Sequence, residues 1–326
     1  MLKLPRRRFM QMAAAAAALP TASRVATAET YPTRPVTLVV FVPAGGFPDI
    51  AARLIGQSLS QRLGQAVVIE NRPGAGGNLA LQAVAGAAAD GYTLLLSATP
   101  HAVNATLFEK ANLNVARDIA PVAGIGSNAL MMIVAPSLPV RTVPEFIAYA
   151  KANPGKVNLT STGTGNLTHL AGEFFKMTAG IEMVHIPYRG AVDAHTGLAA
   201  GEVHVMFDGI GSAQPQVQAG RLRALAVTGA TRWQALPDIP TVAESLPNYA
   251  VNGWLGVGAP RRTPPEIIDR LNKEINAVLA EPGIKARLAD LGSEPLRGSP
   301  ADFGKYIADD TDKWAKVIRA ANIKTQ

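Results

Sequence analysis

Two periodicities alternate along the chain. Residues 36–42 form a near-continuous apolar run, as a parallel strand buried on both faces requires. The spacing then turns helical over 49–63, with Ile50, Leu54, Ile55 and Leu59 on one side. A strand is predicted at 66–70, a helix at 79–87 after a glycine-rich turn, and a strand at 93–97. This β-α-β-α-β order predicts an open α/β sheet. A second series begins after Ser127-Asn128, with strands predicted at 130–135, 157–161, 183–186, 203–208 and 224–228 and helices between them. The uncharged stretch 119–140 contains Pro121, Gly124, Gly126, Pro136 and Pro139, and reads as strand, turn, strand inside a soluble domain.

Helix punctuation supports this order. Thr142-Val143-Pro144-Glu145 and Thr263-Pro264-Pro265-Glu266 both read as capping boxes, Pro264 falling at a first helical position. Asn153-Pro154-Gly155 stops the first of these helices. The second shows one apolar face through Ile267, Ile268, Leu271, Ile275, Val278 and Leu279. A last helix follows Ser299-Pro300-Ala301-Asp302 and carries Phe303, Ile307, Trp314 and Ile318. Two α/β units without a flexible tether predict two packed lobes, with the cleft between them as the ligand site.

Length and composition fit a large, well-buried globular chain: 326 residues, 48% hydrophobic and only 17% charged. The absence of cysteine excludes disulfide scaffolds, zinc–thiolate sites, iron–sulfur clusters and cysteine nucleophiles. The formal net charge of +7 suggests a nucleic-acid or anionic-surface binder, but its position removes that support. Five of the basic residues (Lys3, Arg6, Arg7, Arg8 and Arg24) lie in the first 28 residues, which hold no acid. Without them 26 basic residues (31 less 5) face 24 acids, a body of only +2. Arg6-Arg7-Arg8-Phe9-Met10, an alanine-rich middle and Ala26-Thr27-Ala28 read as a twin-arginine-like export signal cleaved near Ala28. The mature protein is therefore expected to be soluble and outside the cytoplasm.

Glycine-rich loops carry the candidate chemistry. Pro43-Ala44-Gly45-Gly46-Phe47-Pro48-Asp49 joins the first strand to the first helix, where free N–H groups attract an anion. No lysine follows, so it is not a Walker A loop, and a carboxylate suits it better than a polyphosphate. An ordinary tight turn is the competing reading. Asn71-Arg72-Pro73-Gly74-Ala75-Gly76-Gly77-Asn78 is favoured as a packing loop. Ser161-Thr162-Gly163-Thr164-Gly165-Asn166-Leu167-Thr168-His169 offers a second polar cradle, in the second lobe. Tyr188 can supply a ring wall and a hydroxyl, Arg189 a cation, and Asp208 ends a strand, where open α/β sheets bind ligands.

Nothing points to catalysis. There is no G-x-S-x-G elbow and no HExxH, and the five histidines show no metal-like spacing. A Ser161–His169–Asp208 triad can be drawn, but no spacing supports it.

Several segments together carry a family resemblance. They are Pro43-Ala44-Gly45-Gly46 with Asp49-Ile50-Ala51-Ala52-Arg53, Glu70 through Asn78, and Gly163-Thr164-Gly165-Asn166-Leu167-Thr168-His169-Leu170. His185-Ile186-Pro187-Tyr188-Arg189-Gly190, Leu236-Pro237-Asp238-Ile239-Pro240-Thr241, and Trp254 followed by Ala259-Pro260 continue them. In this order they resemble the periplasmic substrate-binding proteins of tripartite tricarboxylate transporters, the Bug family. The resemblance implies an α/β, two-lobed periplasmic binding protein, type II-like, each lobe a mainly parallel sheet flanked by helices. It places lobe 1 at 29–128 and 251–326 and lobe 2 at 129–250. It further implies a monomer that captures a small carboxylate (a dicarboxylate, amino acid or aromatic acid) and delivers it to membrane permease subunits, without cofactor, metal or nucleic acid.

Carried over by position, the ligand would meet Ala44, Gly45, Gly46, Phe47 and Asp49 in lobe 1. In lobe 2 it would meet Ser161, Gly163, Thr164, Gly165, His169, Tyr188, Gly190 and Asp208. Two departures from the family pattern matter. Pro48 stands where a hydroxyl residue is usual, removing a donor, and Phe47 replaces a commonly smaller residue. Its ring is expected to wall the cleft and favour an apolar or aromatic acid. The alternatives are a ligand-presenting sensor for a membrane receptor kinase and, further off, a small-ester or amide hydrolase.

Overall fold

A computed structural model describes residues 31–324, so the expected export signal at 1–28 lies outside the described residues. The elements alternate as the periodicity predicts. In chain order they are β1 (Val36–Val40), α1 (Phe47–Leu63), β2 (Val67–Asn71), α2 (Asn78–Ala85), β3 (Thr93–Ala98), α3 (Thr99–Leu107) and α4 (Val115–Asp118). Then come β4 (Ile119–Val134), α5 (Val143–Ala152), β5 (Asn158–Ser161), α6 (Leu167–Ala179), β6 (Val184–Pro187), α7 (Ala191–Ala200), β7 (Val205–Gly209), α8 (Ile210–Gln218) and β8 (Arg223–Val227). β9 (Asn252–Pro260), α9 (Pro265–Ala280), α10 (Pro282–Asp290), β10 (Glu294–Pro295) and α11 (Pro300–Ala320) complete the chain.

β1 pairs in parallel with β2 and β3, as its two-sided burial demands. β9 then runs antiparallel to both β3 and β4, closing the first lobe's sheet. In the second lobe β5 is parallel to β6 and β7, and β4 is antiparallel to β7 and β8. β4 therefore belongs to both sheets. It pairs with β9 from Ile119 to Ala129 and with β7 from Leu130 to Val134. Its alternating side chains serve two cores: Leu130, Met132 and Val134 join the large cluster, Met131 and Ile133 the smaller one with Met206 and Leu198.

Three sequence expectations change. The predicted strand-turn-strand at 119–140 is one strand over most of its length, Ile119–Val134, with register shifts between Pro121 and Ala123 and between Gly124 and Gly126. Its glycines serve close approach: a Cβ on Gly124 would meet the Leu296 carbonyl oxygen at 2.5 Å. β9 was not foreseen at all, because Gly253, Gly256 and Gly258 dilute its apolar pattern. They are needed there: a Cβ on Gly256 would run into the Phe303 ring, and one on Gly258 into Ile119. Finally, Thr263 does not cap α9. The N-cap is Pro264, α9 starts at Pro265, and the Thr263 hydroxyl is buried without a hydrogen-bond partner. Pro265 bars Pro264 from the helical region, leaving it extended at ψ 139°, so the helix starts one residue later than the box requires and Thr263 falls outside the N-cap position. By contrast, Ser299 and Asp302 form the reciprocal box at α11.

Candidate functional site

The first candidate loop is built by a buried carboxylate. Gly45 takes φ +88°, which suits glycine, and Gly46 is the N-cap of α1 without a side-chain cap. In the first turn of the helix, Asp49 is 2% exposed. Its Oδ2 accepts the Gly45 N–H at 2.9 Å and the Arg53 Nε–H at 3.0 Å; its Oδ1 accepts from Arg53 Nη2 at 3.0 Å and Asn71 Nδ2 at 2.8 Å. The bidentate Arg53 contact, with the Gly45 and Asn71 bonds, holds the carboxyl down at about 2 against the opposing cost of burial. Asp49 thus shapes the loop from below, and all its described bonds are internal. The Gly46 and Phe47 N–H groups open the helix and have no intrahelical acceptor.

The second-lobe loop is pinned in the same manner. Asn166 caps α6, its Oδ1 accepting the His169 N–H at 3.2 Å while its Nδ2 donates to Thr162 Oγ1 at 2.7 Å. The Gly165 N–H donates to His169 Nδ1 at 3.1 Å, which leaves that nitrogen unprotonated. The His169 and His185 rings stack 3.6 Å apart, and His185 Nε2 lies 2.7 Å from Ser161 Oγ. Burial, with the neighbouring His169, pushes His185 down to about 4. Behind them Glu173 is buried; despite that burial, His169 and Lys176 hold its carboxyl below its ordinary range.

Asp208 ends β7 and is 4% exposed. Its Oδ2 accepts from Ser212 Oγ at 2.6 Å and lies 2.8 Å from His195 Nε2. The contact fixes the first turn of α8. Ser161 therefore meets His185, and Asp208 meets His195, so the triad that can be drawn from the sequence is not assembled.

Two cavities lie where loops of the two lobes face each other. The larger, about 530 Å³, is bounded by Phe41, Val42 and Pro43, by the loop from Pro73 to Gly77, by α3 from Thr99 to Phe108, and across the cleft by 164–167; Lys324 also reaches it. The smaller, about 300 Å³, is lined by Phe47, Asn128, Ala129, 209–212, Leu291 and Gly292. The turn 44–46 lies in sequence between Pro43 at one and Phe47 at the other. The lobes approach closely beside these cavities: a Cβ on Gly165 would meet Leu107 Cδ1 at 2.8 Å, and one on Gly292 the Gly211 nitrogen at 3.4 Å.

The expected residues thus divide. Thr164 and Gly165 line the larger cavity and Phe47 the smaller. Ala44, Gly45 and Gly46 form the turn between, and Gly163 takes φ +141° in the facing loop. Asp49, Ser161, His169 and Asp208 are buried supports for these loops. Tyr188 packs against the second core, its hydroxyl 3.4 Å from Glu202, and lines neither cavity. Gly190 is the N-cap of α7.

The second glycine loop, expected from the sequence to pack, does so and also lines the larger cavity. Asn104 holds it there, donating from Nδ2 to the Gly76 carbonyl at 2.8 Å and to Asn78 Oδ1 at 3.2 Å. A side chain at Gly77 would strike His101 and Phe41. The run of positive φ at Gly74, Ala75, Gly76 and Gly77 follows from that confinement; the repeated glycines were its one signal in the sequence. Among the described residues no group of three or more His, Asp or Glu is placed to hold a metal ion, and no helix is long and apolar enough to cross a membrane.

Comparison with known proteins agrees with this architecture. A family model described as "Tripartite tricarboxylate transporter family receptor" matches residues 51–323. Protein BugT of Bordetella pertussis is 36% identical over 301 residues, covering 91% of this chain and 92% of that protein. The solved structure titled "R. palustris Rpa4515 with adipate" is 38% identical with a TM-score of 0.73, covering 90% of this chain and 99% of the other. MatC from Rhodopseudomonas palustris with bound malate is 31% identical with a TM-score of 0.70, covering 88% and 100%.

Proposed function

The chain belongs to the tripartite tricarboxylate transporter receptor family, a family of solute-binding receptors and not of enzymes, and from that premise we propose that it captures a small carboxylate between its lobes and delivers it to the membrane subunits of such a transporter. The observation that carries the reading is a helix start in one lobe facing a pinned polar loop in the other. In the first lobe the N–H groups at the start of α1 lack intrahelical acceptors; in the second, the N–H groups of Thr162, Gly163 and Gly165 are held within the loop, and Thr164 lines the cavity before the start of α6. The adipate and malate found with two similar proteins support a carboxylate as the ligand.

Hydrogen bonds to a charged group contribute roughly 1.5–3 kcal/mol each. Four or five of them, offset by ordering costs, leave about 8 kcal/mol, a micromolar affinity. The ligand-contacting set is Ala44, Gly45, Gly46 and Phe47 on one side and Gly163, Thr164, Gly165 and Gly190 on the other, with Asp49, Ser161, His169 and Asp208 positioning the loops and Tyr188 backing the second. The lobes divide at 29–128 with 251–326, and 129–250, and β4 and β9 are the segments about which they close. The protein works as a periplasmic monomer after export through its twin-arginine-like signal and cleavage near Ala28.

A thermal-shift screen of the exported chain against a panel of carboxylic acids tests the reading. One or more acids should raise the melting temperature in a saturable way, while the corresponding neutral amides should not. A panel without any saturable shift would count against it.

A further inference from the structure

The larger cavity narrows the ligand class. Its volume, about 530 Å³, is that of a small-molecule site. Its walls are hydrocarbon: Phe41, Val103, Leu107 and Phe108 from the first lobe and Leu167 from the second. The prolines 43, 73 and 100 add ring surface without a donor.

The polar groups on the lining are few and mostly committed. Thr99 Oγ1 accepts the Trp254 N–H at 3.0 Å. Asn166 caps α6 with Oδ1 and donates from Nδ2 to Thr162. Both amide hydrogens of Asn104 are taken by Gly76 and Asn78, which fixes its orientation and leaves the carbonyl Oδ1, an acceptor. An acceptor repels a carboxylate and welcomes an uncharged donor. Among the described lining residues the only charged one is Lys324, and it is exposed. A second or third carboxylate carried into this space would therefore lose its hydration against hydrocarbon, with no buried cation to compensate.

We infer that the ligand is a monocarboxylate with an apolar, ring-sized body, its carboxylate held between the 43–46 and 163–165 loops and its body lying against Val103, Leu107, Phe108 and Leu167. This rests on the carboxylate-receptor reading above and adds the substrate class. It also moves the apolar selectivity that the sequence assigned to Phe47 onto α3 and its end, because Phe47 lines the other cavity.

The test is isothermal titration of the purified protein with benzoate, cyclohexanecarboxylate, malate, adipate and citrate. Benzoate or cyclohexanecarboxylate should bind at least tenfold more tightly than any of the three polyacids. Leu107→Asn and Phe108→Ser, both at half-buried positions and so compatible with folding, should each weaken the ring acids about tenfold. Malate, adipate or citrate binding as tightly as the ring acids would overturn the inferred class and leave the carboxylate-receptor reading standing. Binding of no acid in either set would overturn both. Tight ring-acid binding indifferent to both substitutions would place the body elsewhere and overturn the cavity assignment.

Discussion

The imidazoles of His169 and His185 lie face to face, 3.6 Å apart and 11° from parallel, directly behind the second-lobe loop. One ring accepts the Gly165 N–H and the other meets the Ser161 hydroxyl, so each carries a different end of the same loop. Two stacked rings at that distance cannot both be protonated without strong repulsion.

A pH dependence follows. Burial lowers both His185 and His101 to about 4, whereas in the unfolded chain they titrate near 6.5. Between those values the unfolded state binds the extra proton. Their stabilisation is therefore complete above about pH 6.5 and is lost as pH falls toward 4, by up to ~1.4 kcal/mol per pH unit for each group. Urea unfolding at pH 7, 5.5 and 4.5 should show this decline, and His185→Asn should flatten it. An unchanged slope in that variant would refute the assignment to His185.

Asp49 and Arg53 should behave unequally. Asp49→Ala strips the Gly45 and Asn71 donors of a buried acceptor and should cost about 1–3 kcal/mol together with ligand affinity. The Arg53 side chain is 52% exposed, so Arg53→Gln should cost under about 1 kcal/mol. Chemical denaturation of the two variants side by side checks the order.

Gly46→Trp should separate binding from folding. Gly46 has an ordinary φ of −72°, and a Cβ there meets nothing closer than Val42 Cγ2 at 3.5 Å. The indole would fill the anion cradle. The melting temperature without ligand should stay within a few degrees of the parent, while ligand-induced stabilisation disappears.

Gly165→Val should do both kinds of damage. Its φ of +81° penalises a branched residue by about 1–2 kcal/mol, and the new side chain would collide with Leu107 across the cleft. Lower stability and weaker ligand binding should appear together in thermal shift. Gly163→Ala, next to roomier surroundings, isolates the backbone term.

Trp254→Phe should report on the anchoring of the last helix. Trp254 Nε1 donates to the buried Asp310 at 2.8 Å, joining β9 to α11. Loss of that donor should cost about 1–3 kcal/mol. Circular dichroism melts of the variant check it, with little change expected in ligand affinity.

Much of this fold was readable residue by residue. The period-2 and 3.6 patterns placed the end of α1 at Leu63 and most strands within a residue or two, because burial of one face is written locally. β9 escaped because its glycines answer to Phe303 and Ile119, neither of which is near in sequence. Thr263 does not cap because Pro265 holds Pro264 out of the helical region and shifts the helix start by one residue. At the site, the 43–49 and 161–169 loops stood out by composition. The 71–78 loop did not, since glycines that pack and glycines that line a cavity look alike until Asn104 and His101 are brought beneath them.

Order and type of elements, the basic cluster within residues 3–24 that leaves the rest of the chain nearly neutral, and the loop motifs of the tripartite tricarboxylate transporter receptor family all reside in short stretches of chain, where hydrophobic spacing and turn chemistry act over a few residues. Partnership does not reside there. Which histidine meets Ser161, which side chains wall the larger cavity, and which glycine faces Leu107 are set when β4 threads both sheets and β9 closes beside it. Those contacts join residues tens to more than a hundred positions apart, and only the packed arrangement of the two lobes brings them within reach.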